Sequence, residues 1–489
     1  MITSTSFLGS PLARDPGALP FQRQLTLRLK QAILDGQLPA DERLPSSRAL
    51  SDELSISRNT VLIAYEQLAA EGYVIADTQG TRVARLSGDG SRAAKAPTPA
   101  PPTSLPACAR RLSRIVPTAS NRDPGVPMTP GVPALSQFPI SAWRRAHDRA
   151  LQTALPAALG YGEPIGEPAL REAIAHHLRV SRGVRCDADQ VVITEGAQSA
   201  LSLCVSLLTN PGDTAWLEDP GYRGAKAAFH AGDLNVIPMR VDDNGMAIPR
   251  EAWLAHPPRL VQATPAHQYP TGAVLSISRR LDLIKRATEV GAWIVEDDYD
   301  SEFRHQGAPI AAMQGLVVDA PVLYVGSFSK SMFPALRLGF LVLPKTIAQS
   351  AAGSLRELLR GGHRLEQLAM ANFIDSGQFA RHLGRMRRLY RERQNALREA
   401  LATHLGVEHQ VLGGHSGLHL TVRLPPHMPD HAIAEEARRV GMSPAPLSGF
   451  AMAPLPEDNG LVIGYGNTSA ERFAPLVKRL GRIARGLPA

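Results

Sequence analysis

The stretch YVGSFSKSMFPALRLGF, Tyr324 to Phe340, begins as an apolar strand, breaks into small hydroxyl residues around Lys330, and reaches Arg337 seven residues later. In most chains a lysine beside an apolar strand is a solvated loop residue. Its neighbours here point elsewhere. Ser327, Ser329 and Arg337 are residue types that gather around an anion such as a phosphate. A partly buried lysine loses proton affinity and becomes a nucleophilic amine. The stretch reads as one strand end of a larger sheet with chemistry attached.

Working outward, the chain from about Arg110 alternates strand-like runs with helical patterns: QVVITEGAQSALSLCVSLL, DTAWLEDPGY, LVQATPAHQYPTG, AWIVEDDYDSEF and VLYVGSFSK. That alternation predicts an α/β fold with a mostly parallel sheet covered by helices and ligands at the strand ends. Four more strand ends then join the lysine. Gly196 gives backbone freedom before Ala197 and Gln198, which open a helix whose first amides can receive an anion. In VEDDYDSEF three acids follow a β-rich run. They form a solvated turn or, if buried, need a cation nearby such as a protonated pyridine nitrogen. Tyr299 offers a hydrogen bond to a phenolic oxygen, and Tyr222 a ring that could stack on another. His267 and Gln268 precede a Pro-Thr-Gly turn and are otherwise satisfied loop residues.

An aldehyde-bearing cofactor needs this set: an amine for a Schiff base, a carboxylate for the ring nitrogen, an aromatic stack and a phosphate cup. The segment from LGYGEPIGEPALREAIAHHL to GSFSKSMFPALRLGF resembles the class I aminotransferases of fold type I. The resemblance implies pyridoxal 5'-phosphate, with Lys330 forming the Schiff base, Asp297 pairing with the pyridine nitrogen and Tyr299 bonding the phenolic oxygen. It places Ser327, Ser329 and Arg337 on the phosphate with the Ala197 and Gln198 amides, Tyr222 over the ring, and His267 among the cofactor-binding residues. Two departures matter. Tyr269 stands where aminotransferases carry an asparagine, and SPAPLSGFAMAP offers Gly449 where a substrate-carboxylate arginine would fall. An effector carboxylate would then fall to Arg223 or Arg423, or the effector is the cofactor itself. The last is the expectation.

The amino-terminal part has another character. LTLRLKQAILDG carries Leu25, Leu29, Ile33 and Leu34 at helical spacing and stops at Gly36. LPSSRALSDELSISRNTVLIAYEQLAAEGYV gives two more helices across a tight turn at Ser55 and Ile56. The first has Ala49, Leu50 and Leu54 inward. The second is capped by Ser57 and buries Val61, Tyr65 and Leu68, which leaves Arg58, Asn59 and Thr60 outward in its first turn. YVIADTQGTRVAR predicts two strands turning near Gly80, a wing carrying Arg82. Such a helix pair can place its second helix in a DNA major groove, where Arg reads guanine and Asn reads adenine. A helical protein-interaction module has the same pattern. The stretch resembles the winged helix-turn-helix of GntR-type transcription regulators, which implies DNA contacts at Arg43, Ser46, Arg48, Ser57, Arg58, Thr60 and Gly80. With both halves the chain resembles the MocR subfamily of those regulators.

The domain expectation is a DNA-binding module at 13–85, a Pro/Ala-rich tether at 86–109 and an aminotransferase-like domain at 110–489, whose smaller subdomain begins near 385. At 489 residues and a formal charge of +8, the chain fits several domains and an acidic partner. The dense basic run RHLGRMRRLYRERQNALREA reads as a solvated helix face over Leu383, Met386, Leu389 and Tyr390. Cys108, Cys186 and Cys204 lack metal-ligand spacing, so no metal is expected and a reducing cytoplasm fits. No run is long and apolar enough for a membrane span. Three functions remain: a homodimeric regulator binding a double-stranded DNA operator and a small-molecule effector, without enzymatic turnover beyond residual half-transamination; a working aminotransferase with an appended interaction domain; or a cofactor-free scaffold, which would not need Lys330, Asp297 and Arg337 together.

Overall fold

A computed structural model of the chain describes residues 11–15, 17–77, 80–86, 115, 123, 125–154, 156–307 and 309–486. The chain divides into two compact units, Met1–Ser104 and Leu105–Ala489. Of the expected tether, only Leu86 lies among the described residues, and Cys108 lies outside them.

In the first unit, α1 (Phe21–Leu34), α2 (Ser47–Leu54) and α3 (Arg58–Ala70) precede the hairpin of β1 (Val74–Asp77) and β2 (Gly80–Val83). Ser46 caps α2 by accepting from the Ala49 amide, and Ser57 caps α3 by accepting from the Thr60 amide. Ser55 turns the chain between them in the left-handed region, at φ 50°. Leu25, Leu29, Leu50, Val61 and Leu68 are fully buried, and each such side chain contributes about 1.5–3 kcal/mol. Two expectations fail. Leu34, in the last position of α1, is 60% exposed while Ala32 is buried. Ala49 also faces solvent, and Ser51 turns inward instead because its hydroxyl is satisfied by the Arg48 carbonyl.

The second unit is built on an eight-stranded sheet ordered β3-β10-β9-β8-β7-β4-β5-β6. Its strands are β3 (Val191–Thr194), β4 (Thr214–Asp219), β5 (Asn235–Asp242), β6 (Gly245–Met246), β7 (Leu260–Ala263), β8 (Trp293–Asp298), β9 (Val322–Ser327) and β10 (Gly339–Val342). The sheet is mostly parallel. Only β10, between β3 and β9, and the short edge strand β6 run against the rest. Strands β3, β7 and β10 are buried along their whole length, as a sheet covered on both faces requires. A second, antiparallel sheet, β11-β12-β14-β13, follows, formed by Gln410–Leu412, His419–Arg423, Gly460–Gly464 and Ala445–Pro446.

The basic run lies on the helix Gln378–His404. Arg381, Arg385, Arg388 and Arg391 are exposed there, but Arg393 is buried and donates to the Gly466 carbonyl, and Arg387 pairs with Glu302. The face is only partly solvated. No helix among the described residues is long and apolar enough to cross a membrane.

Candidate functional sites

The reversed direction of β10 gathers the first site. Gly339, its first residue, pairs with Ser327 on one side and Thr194 on the other. The segments after β9 and β3 and the segment before β10 therefore share one edge. That edge carries Ser327, Ser329, Lys330, Ala197, Gln198 and Arg337. Arg337 is held at φ 52°, in the left-handed region that a non-glycine residue occupies at a cost on the order of 1 kcal/mol. Its Nη2 donates to the Glu195 carbonyl at 2.6 Å, and its guanidinium lies 3.7–3.9 Å from where a Cβ on Gly196 would stand. Ala197 and Gln198 are the first residues of the helix Ala197–Leu208. Ser327 donates to the Ser329 hydroxyl at 2.9 Å and accepts from the Ser329 amide, which leaves the Ser329 proton for another acceptor.

Lys330 is partly buried, and its Nζ donates to the Gly131 carbonyl at 2.6 Å. Burial lowers its pKa, which Asp300 opposes. A Cβ on Gly131 would approach that Nζ to 3.0 Å, so the glycine permits the contact.

The three acids of β8 are buried, not a solvated turn, and the strand sorts them by alternation. Glu296 accepts from the Met313 and Gln314 amides. Asp298, two residues on, meets Arg182 at 2.9 Å and also accepts from Ser301 and Tyr324. Asp297 points the other way, and its Oδ1 is buried without a hydrogen-bond partner. Burial, with Asp298, Glu218 and Asp300 nearby, pushes its pKa up to about 7.

Aromatic groups line the other strand ends. Tyr222 caps the helix Arg223–Ala231. Burial raises its pKa to about 12, with Asp297 adding and Arg337 opposing, so its hydroxyl lies in the field of both. Tyr269 stands edge-on to Tyr222, Tyr299 and Phe450 at 6.4, 5.8 and 5.2 Å between ring centres. The Tyr299 hydroxyl lies 3.0 Å from His267 Nδ1, itself 2.9 Å from Asp300. Arg223 is partly buried, donates from Nε to the Gly449 carbonyl at 2.8 Å, and lies over the Phe450 ring at 4.6 Å. Arg423 is spent on the Glu457 carbonyl and Gln410.

Sequence reading missed Arg182, Glu218, Gly131 and the pairing role of Asp300. Glu218, next to Asp219 at the end of β4, is buried and accepts from Thr264 and Gln268. A strand-terminal Glu-Asp-Pro was the available signal for it. Arg182, at the end of its helix, carries no local signal.

The second site lies in the first unit. Arg48, Arg58 and Asn59 are exposed. Arg58 donates from Nε to the Ser47 hydroxyl, and its terminal nitrogens have no hydrogen-bond partner among the described residues. The Thr60 hydroxyl is tied to Ser57 at 2.7 Å. Arg43 and Arg82 are bridged across the wing, and the Arg43 guanidinium packs 3.0 Å from where Gly80, at φ 127°, would carry a Cβ.

Comparison with known proteins matches residues 21–83 to the bacterial regulatory proteins of the gntR family and residues 128–446 to aminotransferase class I and II. The probable rhizopine catabolism regulatory protein MocR of Rhizobium meliloti is 37% identical, over 91% of this chain and 90% of that protein. The pyridoxine biosynthesis transcriptional regulator PdxR of Corynebacterium glutamicum is 32% identical over 93% of each. Among solved structures, alpha-aminoadipate aminotransferase LysN of Thermus thermophilus, complexed with N-(5'-phosphopyridoxyl)-L-leucine, superimposes with a TM-score of 0.68 at 27% identity, covering 78% of this chain and 95% of that one. A helix-turn-helix module and an aminotransferase domain joined in this order, with full-length relatives named as regulators, show that the chain belongs to the MocR-type GntR transcription regulators.

Proposed function

We propose that this chain is a pyridoxal 5'-phosphate-dependent transcription regulator, binding operator DNA through its first unit and sensing a small amine, amino acid or the cofactor itself through its second. One observation carries the cofactor reading. A carboxylate oxygen of Asp297 is buried without a partner on the strand edge that presents a desolvated lysine amine, and a protonated pyridine nitrogen is a cation that completes it. When bound, the cofactor supplies an aldehyde for the lysine and a ring that withdraws electrons.

The chain's own residues do the rest. Asp297 holds the ring-nitrogen proton. Tyr222 covers the ring, and Tyr299 donates to its phenolic oxygen. Ser327, Ser329, Arg337 and the amides of Ala197 and Gln198 hold the phosphate by charge-assisted hydrogen bonds and a helix N-terminus. Lys330, losing its proton more easily than an exposed lysine, is the nucleophile. Arg223 has no carboxylate partner among the described residues, and its position beside Tyr222 and Tyr269 suits the carboxylate of an amino-acid effector.

In the DNA-binding unit, Arg58 and Asn59 face base edges while Arg43, Ser46, Arg48, Ser57, Thr60, Gly80 and Arg82 meet backbone or groove. We place the action in the cytoplasm on a repeated half-site, read by a homodimer. Ile140, Leu159 and Tyr161, 66%, 72% and 102% exposed, supply apolar surface for such an interface. Purified protein mixed with pyridoxal 5'-phosphate should develop the visible absorption of a lysine-bound cofactor, and Lys330→Ala should lack it. A variant that keeps the band after dialysis would reassign the lysine. Turnover with an amino donor and a keto acceptor would favour the working-aminotransferase reading.

A further inference from the structure

Direct contact with the cofactor leaves one buried group unexplained, formed by His267, Asp300 and His419 and brought together from the loop after β7, the loop after β8 and strand β12. His267 and Asp300 are 2% and 3% exposed. A Cβ on Gly417 would collide with the His267 ring and the Asp300 carboxylate, so the backbone there closes directly over the pair. His419 packs on His267 at 5.1 Å between ring centres, donates from Nε2 to the Pro270 carbonyl, and is held neutral by burial. Lys330 and Tyr465 lie within electrostatic reach of Asp300.

The contacts of one atom decide what this pair does. His267 Nδ1 lies 2.9 and 3.1 Å from the two Asp300 oxygens and 3.0 Å from the Tyr299 hydroxyl. An imidazole nitrogen has a single in-plane position, filled by a proton or by a lone pair. If the proton shared with Asp300 sits on Nδ1, the nitrogen is a donor and Tyr299 can only accept from it. If it sits on Asp300, the lone pair is already taken. In both cases Tyr299 cannot donate to His267, and its hydroxyl has no other partner among the described residues. The other ring nitrogen, Nε2, is buried without a partner and lies 3.3 Å from the Cβ position of Gly272. It faces the Pro-Thr-Gly turn, away from Tyr299.

We propose that Asp300 and His267 are a positioning pair that keeps the Tyr299 proton directed at the ligand, toward the phenolic oxygen of the cofactor. His267 on this account works through Tyr299, and Asp300 fixes the ring. The inference rests on the cofactor reading above, with Tyr299 at the phenolic oxygen.

The test is the pH titration of visible absorbance in the full-length chain loaded with pyridoxal 5'-phosphate. His267→Phe should move the apparent pKa of the band by about one unit, tenfold in the protonation equilibrium, in the same direction as Tyr299→Phe. The double variant should move no further than Tyr299→Phe alone, because the histidine acts only through that hydroxyl. Asp300→Asn keeps an oxygen to accept from Nδ1 and should stay near wild type, whereas Asp300→Leu should behave like His267→Phe and replaces it if that variant does not fold. A titration unchanged in His267→Phe, or a double variant whose shifts add, overturns the inference while the cofactor reading stands. A wild-type chain that forms no band overturns both.

Discussion

Replacing Asp297 by Asn should stabilise the cofactor-free protein and weaken cofactor binding, and the first effect has a definite pH dependence. Burial lifts this carboxyl from 3.8 to about 7. Between those values the folded state holds a proton that the unfolded state releases, so stability falls as pH rises through the window and levels off above it. Each pH unit is worth about 1.4 kcal/mol, so the ionised side chain costs the empty fold about 4 kcal/mol near pH 8. Asparagine has no such slope. Urea unfolding of cofactor-free wild type and Asp297→Asn should give curves that separate as pH rises from about 4 to 8 by about that amount. Trp143, Trp216, Trp253 and Trp293, all the tryptophans of the chain, lie in the second unit, so intrinsic fluorescence follows that unit alone. With cofactor present the order should reverse, since only the carboxylate can hold the ring-nitrogen proton. A stability gap that does not change with pH would mean that Asp297 is ionised and partnered throughout, and the argument from its orphaned oxygen would fail.

Arg58→Ala should cost operator affinity about 1–3 kcal/mol and relax preference at one base pair if it reads a base edge; gel-shift titration at fixed salt checks both, and unchanged affinity and preference remove Arg58 from the interface. Arg223→Gln should weaken any response to an amino-acid effector about tenfold, roughly 1.4 kcal/mol, and leave the response to added cofactor intact; a spectral titration of the loaded protein separates these, and an unaltered amino-acid response would leave the effector without a carboxylate contact at Arg223. Light scattering of the loaded protein should give the mass of a dimer, and a monomer would contradict the expected pairing of operator half-sites.

The helix-turn-helix was legible because caps and apolar periodicity are local: Ser46, Ser57, Val61, Tyr65 and Leu68 lie where their spacing placed them. Ala49 and Leu34 were misplaced because a helix end leaves the last apolar residue free to face water, and because a serine can turn inward once its hydroxyl finds a carbonyl. At the strand ends, the residues themselves singled out Lys330 and Tyr299, and only the family resemblance chose Asp297. The residues were silent on which of three adjacent acids would lack a cation, because that depends on Arg182, 116 positions away in the chain from Asp298. The His267 and Asp300 contact was equally hidden, joining two loops 33 positions apart.

The reversed strand β10 has an evolutionary consequence. Because it turns back beside β9, the lysine and the arginine of one short stretch arrive at the same edge, and they are inherited together. Substitutions elsewhere on the edge can be sampled one at a time, as Tyr269 and Gly449 illustrate, and ligand preference can drift without disturbing that pair. Length changes between Ser331 and Leu336 have no such freedom. An inserted or deleted residue would push Arg337 out of the single backbone conformation that reaches Glu195, and would separate the two charges at a stroke. Descendants of this chain should therefore vary freely in what they recognise while the spacing from lysine to arginine stays fixed.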